Sequence, residues 1–237
     1  MTTGHIPYFY ADPSFVLTPD DARHFLTVLR GRDGDPLEVS DGAGRAWRAV
    51  ARVGSRREVR AERLEERPPE PPPAAAIACA VPKAQRAGYL IEKSVEIGVS
   101  SLYLLATRFS SVKQTPPGLM RRFEAVAASA GMQSRRPWLP AIHPIEPLER
   151  FVASRGPLAV LDGTGSREGW ERLETGSGWT LLVGPEGGWA PEEMELFKSN
   201  DLPLLALSSH PLRMETAAVT GLAFWYALKG AAGRRGG

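Results

Sequence analysis

Residues 180–193 read TLLVGPEGGWAPEE, and the kind of fold follows from how this stretch is punctuated. A short apolar run without alternation is what a strand buried on both faces requires, the situation of a parallel sheet covered by helices. Three glycines then allow a tight backbone turn. Pro191 suits the first position of a helix, where its missing N–H costs nothing, and Glu192 and Glu193 in the first turn complement the positive end of the helix dipole. Strand, glycine turn and helix together form one repeat of an α/β sheet.

The same alternation extends outward in both directions. Upstream lie an apolar run AIACAV (76–81), a helix through AGYLIEKSVEIG (87–98) stopped by Gly98, and a strand SLYLLAT (101–107). A second helix is predicted from Pro117 to Gln133, with Phe123, Val126, Ala127 and Ala130 at the spacing of one buried face. LAVLD (158–162) and LPLLALS (202–208) are further strands, and a last helix is expected from Glu215 to Lys229. Such alternation predicts a mostly parallel α/β sheet covered on both faces.

The N-terminal region reads differently. PLEVSDG (36–42), RAWRAVARV (45–53) and EVRAERL (58–64) are short strands separated by turns, and in the second Trp47, Ala49, Ala51 and Val53 alternate with Arg48 and Arg52. Residues 1–67 are therefore a small β-domain. The proline-rich stretch 68–76 within RPPEPPPAAA can neither sit inside a sheet nor continue a helix, and is read as an extended linker. Residues 77–230 form the second domain, and 231–237 a disordered tail.

At 237 residues and 43% hydrophobic content the chain can bury real cores. No basic start followed by an apolar stretch opens the sequence, and no run approaches a membrane span, so a cytoplasmic protein without a membrane partner is expected. A single cysteine, Cys79, allows no internal disulfide, and four scattered histidines give no metal cluster, so no metal is expected. The net charge of +2 hides a basic middle: between Lys83 and Arg136 nine bases stand against three acids. That excess suits phosphate contacts or a solvated helical surface.

Ligands of open α/β sheets bind beyond the carboxyl ends of the strands, which directs attention to the loops after LAVLD, TLLVG and LLALS. Gly184-Pro185-Glu186-Gly187-Gly188 lets backbone approach a ligand, although a glycine turn between strand and helix also occurs for purely structural reasons. In Ser208–Ala217, SSHPLRMETA, either Glu215 or Thr216 can cap the last helix. A cap does not account for Arg213, whose charge opposes the dipole there unless an anionic ligand or a carboxylate such as Glu186 or Glu215 is its partner. No GxxxxGK[ST] loop is present, and Gly42-Ala43-Gly44 reaches Trp47 where a dinucleotide site needs Gly or Ala, which argues against P-loop ATPases and NAD enzymes.

GPEGG (184–188), LRMETAA (212–218), LIEKSVEIGV (90–99) and SAGMQSRRPW (129–138), in that combination, resemble the RsmE family of 16S rRNA uridine-N3 methyltransferases. ARHFLTVLRGRDGD (22–35) resembles the PUA-like barrel at that family's N-terminus. The resemblance implies a SPOUT-type parallel sheet with a C-terminal trefoil knot, a homodimer, S-adenosylmethionine (SAM) as methyl donor and the small ribosomal subunit as partner. It further implies that Leu161, Leu182, Val183, Gly184, Pro185, Glu186, Gly187, Gly188, Leu207, Leu212, Arg213, Glu215, Thr216 and Ala217 bind SAM. RNA contacts are expected from Arg30, Arg32, Lys83, Arg86, Arg122, Gln133, Arg135 and Arg136. Two departures stand out: Ser208-Ser209-His210-Pro211 replaces a Gly-Pro-Arg type sequence, and Met132-Gln133 replaces a Glu-Gln pair.

Methyl transfer is an in-line displacement that rests on positioning, and the weakly acidic N3–H of uracil must lose its proton. Arg213 and Glu215 are the expected catalytic pair, with Glu186 an alternative to Glu215 in orienting the arginine. Other readings are a SPOUT enzyme acting on transfer RNA or 23S rRNA, and a non-catalytic RNA-binding factor of ribosome assembly.

Overall fold

The computed structural model describes residues 6–54, 57–82, 84–166, 168–173 and 178–233. It divides into two compact units, Met1–Pro72 with Ala128–Leu139, and Pro73–Ala127 with Pro140–Gly237.

The first unit contains β1 (Tyr8–Tyr10), α1 (Pro19–Arg23) running into one π-helical turn (His24–Val28), β2 (Pro36–Ser40), β3 (Ala46–Val53) and β4 (Val59–Glu66). The strands are ordered β1-β2-β3-β4, with β1 and β2 parallel and the others antiparallel. Residues 15–17 complete the ring: Leu17 N donates to Val59 O (3.0 Å), Ala61 N donates to Phe15 O (2.8 Å), and Ala11 bridges Leu17. The sheet thus closes into the small barrel expected here. Trp47, Ala49 and Ala51 face a core shared with Phe9, Phe25, Leu37 and Val39, while Arg48 and Arg52 point to solvent.

The second stretch of this unit, Ala128–Leu139, differs from the reading that gave all of 77–230 to one domain. Arg135 donates to buried Glu38 (3.0 Å) and to Ile6 O (2.5 Å). Tyr10 Oη donates to Arg136 O (2.6 Å), and Trp138 Nε1 donates to Glu70 O (2.8 Å). Glu38 also pairs with Arg67, and a carboxylate 2% exposed requires such partners. Gly44, at φ +101°, lies under the Trp138 indole, where a Cβ would come within 2.5 Å of the ring.

The second unit contains β5 (Ala75–Ala80), α2 (Ala84–Ile97), β6 (Val99–Ala106), the first half of α3 (Leu119–Ser134), β7 (Ala141–Pro147), α4 (Leu148–Ser154), β8 (Leu158–Ser166), β9 (Trp179–Val183), α5 (Pro191–Ser199), β10 (Leu204–Leu205) and α6 (Met214–Gly233). Its six strands are ordered β10-β8-β9-β5-β6-β7, and every pairing is parallel, as the alternation predicted. β5 begins at Ala75, so the extended linker is shorter than the proline run suggested. β7 and α4 are additions to the expected elements. Pro144 and Pro147 disguise β7, and they are tolerated because β7 is an edge strand.

Ala78, Leu105, Leu148, Phe151, Val160, Leu182 and Phe197 form the core of this unit. α6 packs on α2 and over β5, β8 and β9. It continues to Gly233, past the expected end at Lys229, so 231–233 are helical and the rest of the expected tail, 234–237, lies outside the described residues. No helix among the described residues is long and apolar enough to cross a membrane.

Candidate active site

Because β10, β8 and β9 are adjacent and parallel, their carboxyl ends share one edge, and the chain leaving each contributes a wall to a single cleft of about 490 Å³. β8 supplies Leu161–Thr164, β9 and its loop supply Val183–Glu186 with Gly188 and Trp189, and β10 and the chain after it supply Leu205 and Leu207–Leu212. Met214 and Ala217, in the first turn of α6, close it.

The glycine loop is shaped by its own sequence. Gly188 adopts φ +74°, a left-handed conformation that favours glycine, and its N–H donates to Pro185 O (2.8 Å). At Gly184 a Cβ would stand 3.1 Å from the Trp189 indole. The absence of a side chain there lets the ring lie over the loop, donate to Leu161 O (3.4 Å) and meet Phe197 edge-on. At the loop's exit, the Glu193 carboxylate is 3% exposed and accepts hydrogen bonds from Ala190 N and Arg108 N, both 2.7 Å. Across the cleft, Asp162 of β8 accepts from Thr164 N (2.8 Å) and Thr164 Oγ1 (2.5 Å).

The structure brings together Leu161, Val183, Gly184, Pro185, Glu186, Gly188, Leu207, Leu212 and Ala217 of the expected set. Ser208–Pro211, which departs from the family pattern, nevertheless lines the cleft, with His210 N donating to Ser208 Oγ (3.1 Å). Leu182 is buried in the sheet core, and Gly187 borders a neighbouring hollow. Arg213, Glu215 and Thr216 form no part of the wall. For Glu215 and Thr216 the reason is helical geometry: residues 214 and 217 are one turn apart on one face of α6, and the positions between them point elsewhere.

The expected pairing of Arg213 with Glu186 or Glu215 is also replaced. Arg213 is exposed, whereas Arg86 on α2 donates to Glu186 (3.2 Å) and lies 3.6 Å from Glu215 Oε1. Glu215 is 7% exposed, and its Oε2 has no hydrogen-bond partner among the described residues. Arg86, expected on RNA, is therefore the cation that joins the glycine loop to the start of α6. Trp189 and Asp162 complete the site; an aromatic residue directly after GPEGG was the available signal for the former.

Of the remaining expected RNA contacts, none among the described residues lines the cleft. Arg30, Arg32, Arg122 and Gln133 are exposed, Arg135 is engaged with Glu38, and Lys83 lies outside the described residues. On the barrel, Arg45, Arg48 and Arg52 pair with Glu66, Glu65 and Glu62, which neutralises that face. No group of three metal-ligating side chains occurs among the described residues. Burial pushes the Cys79 thiol up to about 12, which removes it as a nucleophile.

Residues 69–226 match the model of the RNA methyltransferase domain, and residues 17–61 match that of the RNA methyltransferase PUA domain. The chain is 31% identical over 227 residues to ribosomal RNA small subunit methyltransferase E of Mycobacterium bovis, covering 87% of this chain and 84% of that protein. It is 28% identical to the Synechocystis protein of the same name, covering 90% and 72%. Among solved structures, ribosomal RNA small subunit methyltransferase E from Neisseria gonorrhoeae, bound to S-adenosyl methionine, superposes with a TM-score of 0.84 at 25% identity, covering 94% of this chain and 98% of that one. Strand order, barrel and cleft thus accompany a match along most of the sequence, and the chain belongs to the RNA methyltransferase family that includes ribosomal RNA small subunit methyltransferase E, the RsmE family.

Proposed function

We propose that this chain transfers a methyl group from SAM to N3 of a uridine in the 16S rRNA of the small ribosomal subunit. The observation that carries the reading is the cleft at the ends of β8, β9 and β10, built by a glycine loop and the first turn of α6. Its volume of about 490 Å³ is suited to a ligand of SAM's size. Leu161, Leu207, Leu212, Met214 and Ala217 offer apolar surface for an adenosine, the backbone of Gly184–Gly188 offers polar groups beside it, and Asp162 and Glu186 suit a cationic ligand. A SPOUT-type knot and a homodimer are part of the proposal and rest on the family resemblance.

SAM, when bound, supplies a methyl group activated by a sulfonium. The protein must hold the acceptor nitrogen behind that methyl and take up the N3 proton. Glu186 is assigned to receive it: unlike Glu215 it lies on the cleft wall, and unlike Asp162, which is engaged with Thr164, it also borders the neighbouring hollow. Arg86 orients Glu186, and buried Glu215 orients Arg86. Arg213, exposed in the chain between the cleft residues Leu212 and Met214, is left for RNA. N3 of a paired uridine is engaged, so the acceptor must be unpaired or turned out of its helix.

The test is transfer of tritium from labelled SAM to 30S subunits from a strain lacking the modification, followed by mass spectrometry of the nucleosides. Formation of 3-methyluridine is the expected result. Transfer to another nucleoside would overturn the acceptor, and no transfer together with no SAM binding in calorimetry would overturn the enzyme in favour of an RNA-binding factor.

A further inference from the structure

A second hollow of about 340 Å³ adjoins the cleft, and the two share Pro185 and Glu186 as a common wall. Its floor is Ala80 and Val81, at the carboxyl end of β5, and its rim is Phe109, Ser110 and Ser111 from the turn after β6. The rim is held in place. Thr107 N donates to Ser110 Oγ (2.9 Å), Ser110 N donates to Thr107 O (3.3 Å), and Arg108 N is bound by Glu193. Phe109 is nevertheless 52% exposed. Its Cβ would be 3.2 Å from a Cβ on Gly187, so the absence of a side chain on the loop is what lets the phenylalanine stand against it.

A half-exposed phenyl ring on a hydrogen-bonded turn, beside an apolar floor and a carboxylate, has the chemistry of a stacking platform for a base. We propose that this hollow receives the acceptor pyrimidine, stacked on Phe109, with its N3–H directed at Glu186 and the exposed Ser111 hydroxyl donating to a ring carbonyl. Lys113, exposed on the same turn, and Arg108, whose exposed contact to Glu192 (3.7 Å) a phosphate can replace, then face the phosphates that flank the base. This inference rests on the methyltransferase reading and adds where the acceptor sits. The step balances: the N3 proton passes to the Glu186 carboxylate, the N3 electron pair forms the new bond to the methyl carbon, and the carbon–sulfur bond breaks with its pair left on sulfur as a neutral thioether. A neighbouring site is needed because the nucleophile must approach from behind the methyl group, and the common wall at Pro185 and Glu186 puts acceptor and donor side by side.

The test uses the full chain and an RNA substrate carrying 5-iodouridine at the acceptor position. Irradiation is expected to crosslink that base to a peptide containing Phe109. In parallel, Phe109→Ala is expected to lower kcat/KM for RNA by roughly 10- to 100-fold, the size of one lost base–aromatic stack. SAM affinity should change less than 2-fold, and Phe109→Trp should restore activity to within about 3-fold, an outcome that loss of folding alone does not give. A crosslink mapping outside 107–111, or a Phe109→Ala enzyme with unchanged kcat/KM, overturns the acceptor site while leaving the methyltransferase reading in place. A crosslink at Phe109 with no methyl transfer to unmodified RNA overturns the methyltransferase reading and, with it, the role of the hollow as an acceptor site, leaving a base-binding hollow.

Discussion

Replacing Arg86 by methionine removes one cation from between two carboxylates and leaves most of the side-chain volume. The carboxylate that suffers is Glu215, which is 7% exposed and already has one oxygen without a partner among the described residues. At the 3.6 Å separation of Arg86 and Glu215, the attraction between unit charges runs from about 1 kcal/mol in water to about 4 kcal/mol in a partly buried site. Arg86 is itself about a third exposed, so a value near 2 kcal/mol is expected, with little added by the more exposed contact to Glu186. For a chain of this size that lowers Tm by roughly 4–8 °C. The decisive assay is a double-mutant cycle by thermal and urea unfolding with Arg86→Met, Glu215→Gln and the pair. Neutralising Glu215 in the Arg86→Met background should recover more than half of the loss, because the stranded charge is gone. An Arg86→Met protein melting within about 1 °C of the parent, or two effects that simply add, would refute the idea that this pair ties α2 to α6.

Three other outcomes follow from the geometry. Ala217→Trp fills the cleft from the first turn of α6 and is expected to weaken SAM binding at least 100-fold in calorimetry while leaving the circular dichroism spectrum unchanged. Gly188→Ala meets no neighbour within 4 Å but must hold φ +74°, so it should cost about 1–2 kcal/mol of stability in urea titrations, the usual strain of a left-handed residue. Burial raises the Cys79 thiol from its ordinary 9.0 to about 12. Its folded pKa lies above the unfolded one, so the stabilisation is complete below pH 9 and is lost progressively as pH rises towards 12. Alkaline unfolding of the parent should therefore be steeper than that of Cys79→Ala, and a thiol reagent at pH 7 should label Cys79 only in denaturant.

Legibility in the sequence followed the range of the interaction concerned. β5, β6 and β9 declared themselves as apolar runs, and the start of α5 by Pro191, Glu192 and Glu193, because these signals are local. β7 was hidden by Pro144 and Pro147, whose cost depends on whether the strand is central or at an edge, a property of the whole sheet. The cleft's loops were found from the glycines and the rule for strand ends, yet of the α6 residues that face it only Ala217 was expected, beside Glu215 and Thr216 that turn away, since the facing of a helix is settled by what it packs against. Met214 and Ala217 took the wall, and Glu215 turned towards Arg86. Charge partners were the least readable: Arg86 and Glu186 are 100 residues apart and Arg135 and Glu38 are 97 apart, and nothing in the local pattern of either member selects the other.

The barrel's dependence on Ala128–Leu139 also sets an order of events during synthesis. When residue 72 leaves the ribosome, buried Glu38 lacks Arg135 and the turn at Gly42–Gly44 lacks the cover of Trp138. Residues 73–127 must be made first, which at ordinary elongation rates takes roughly 3–11 seconds. Throughout that interval the barrel, whose strands close through residues 15–17, holds Glu38 by Arg67 alone and lacks the indole over its turn, so this part of the chain begins first and is finished only after much of the second unit's sequence has emerged.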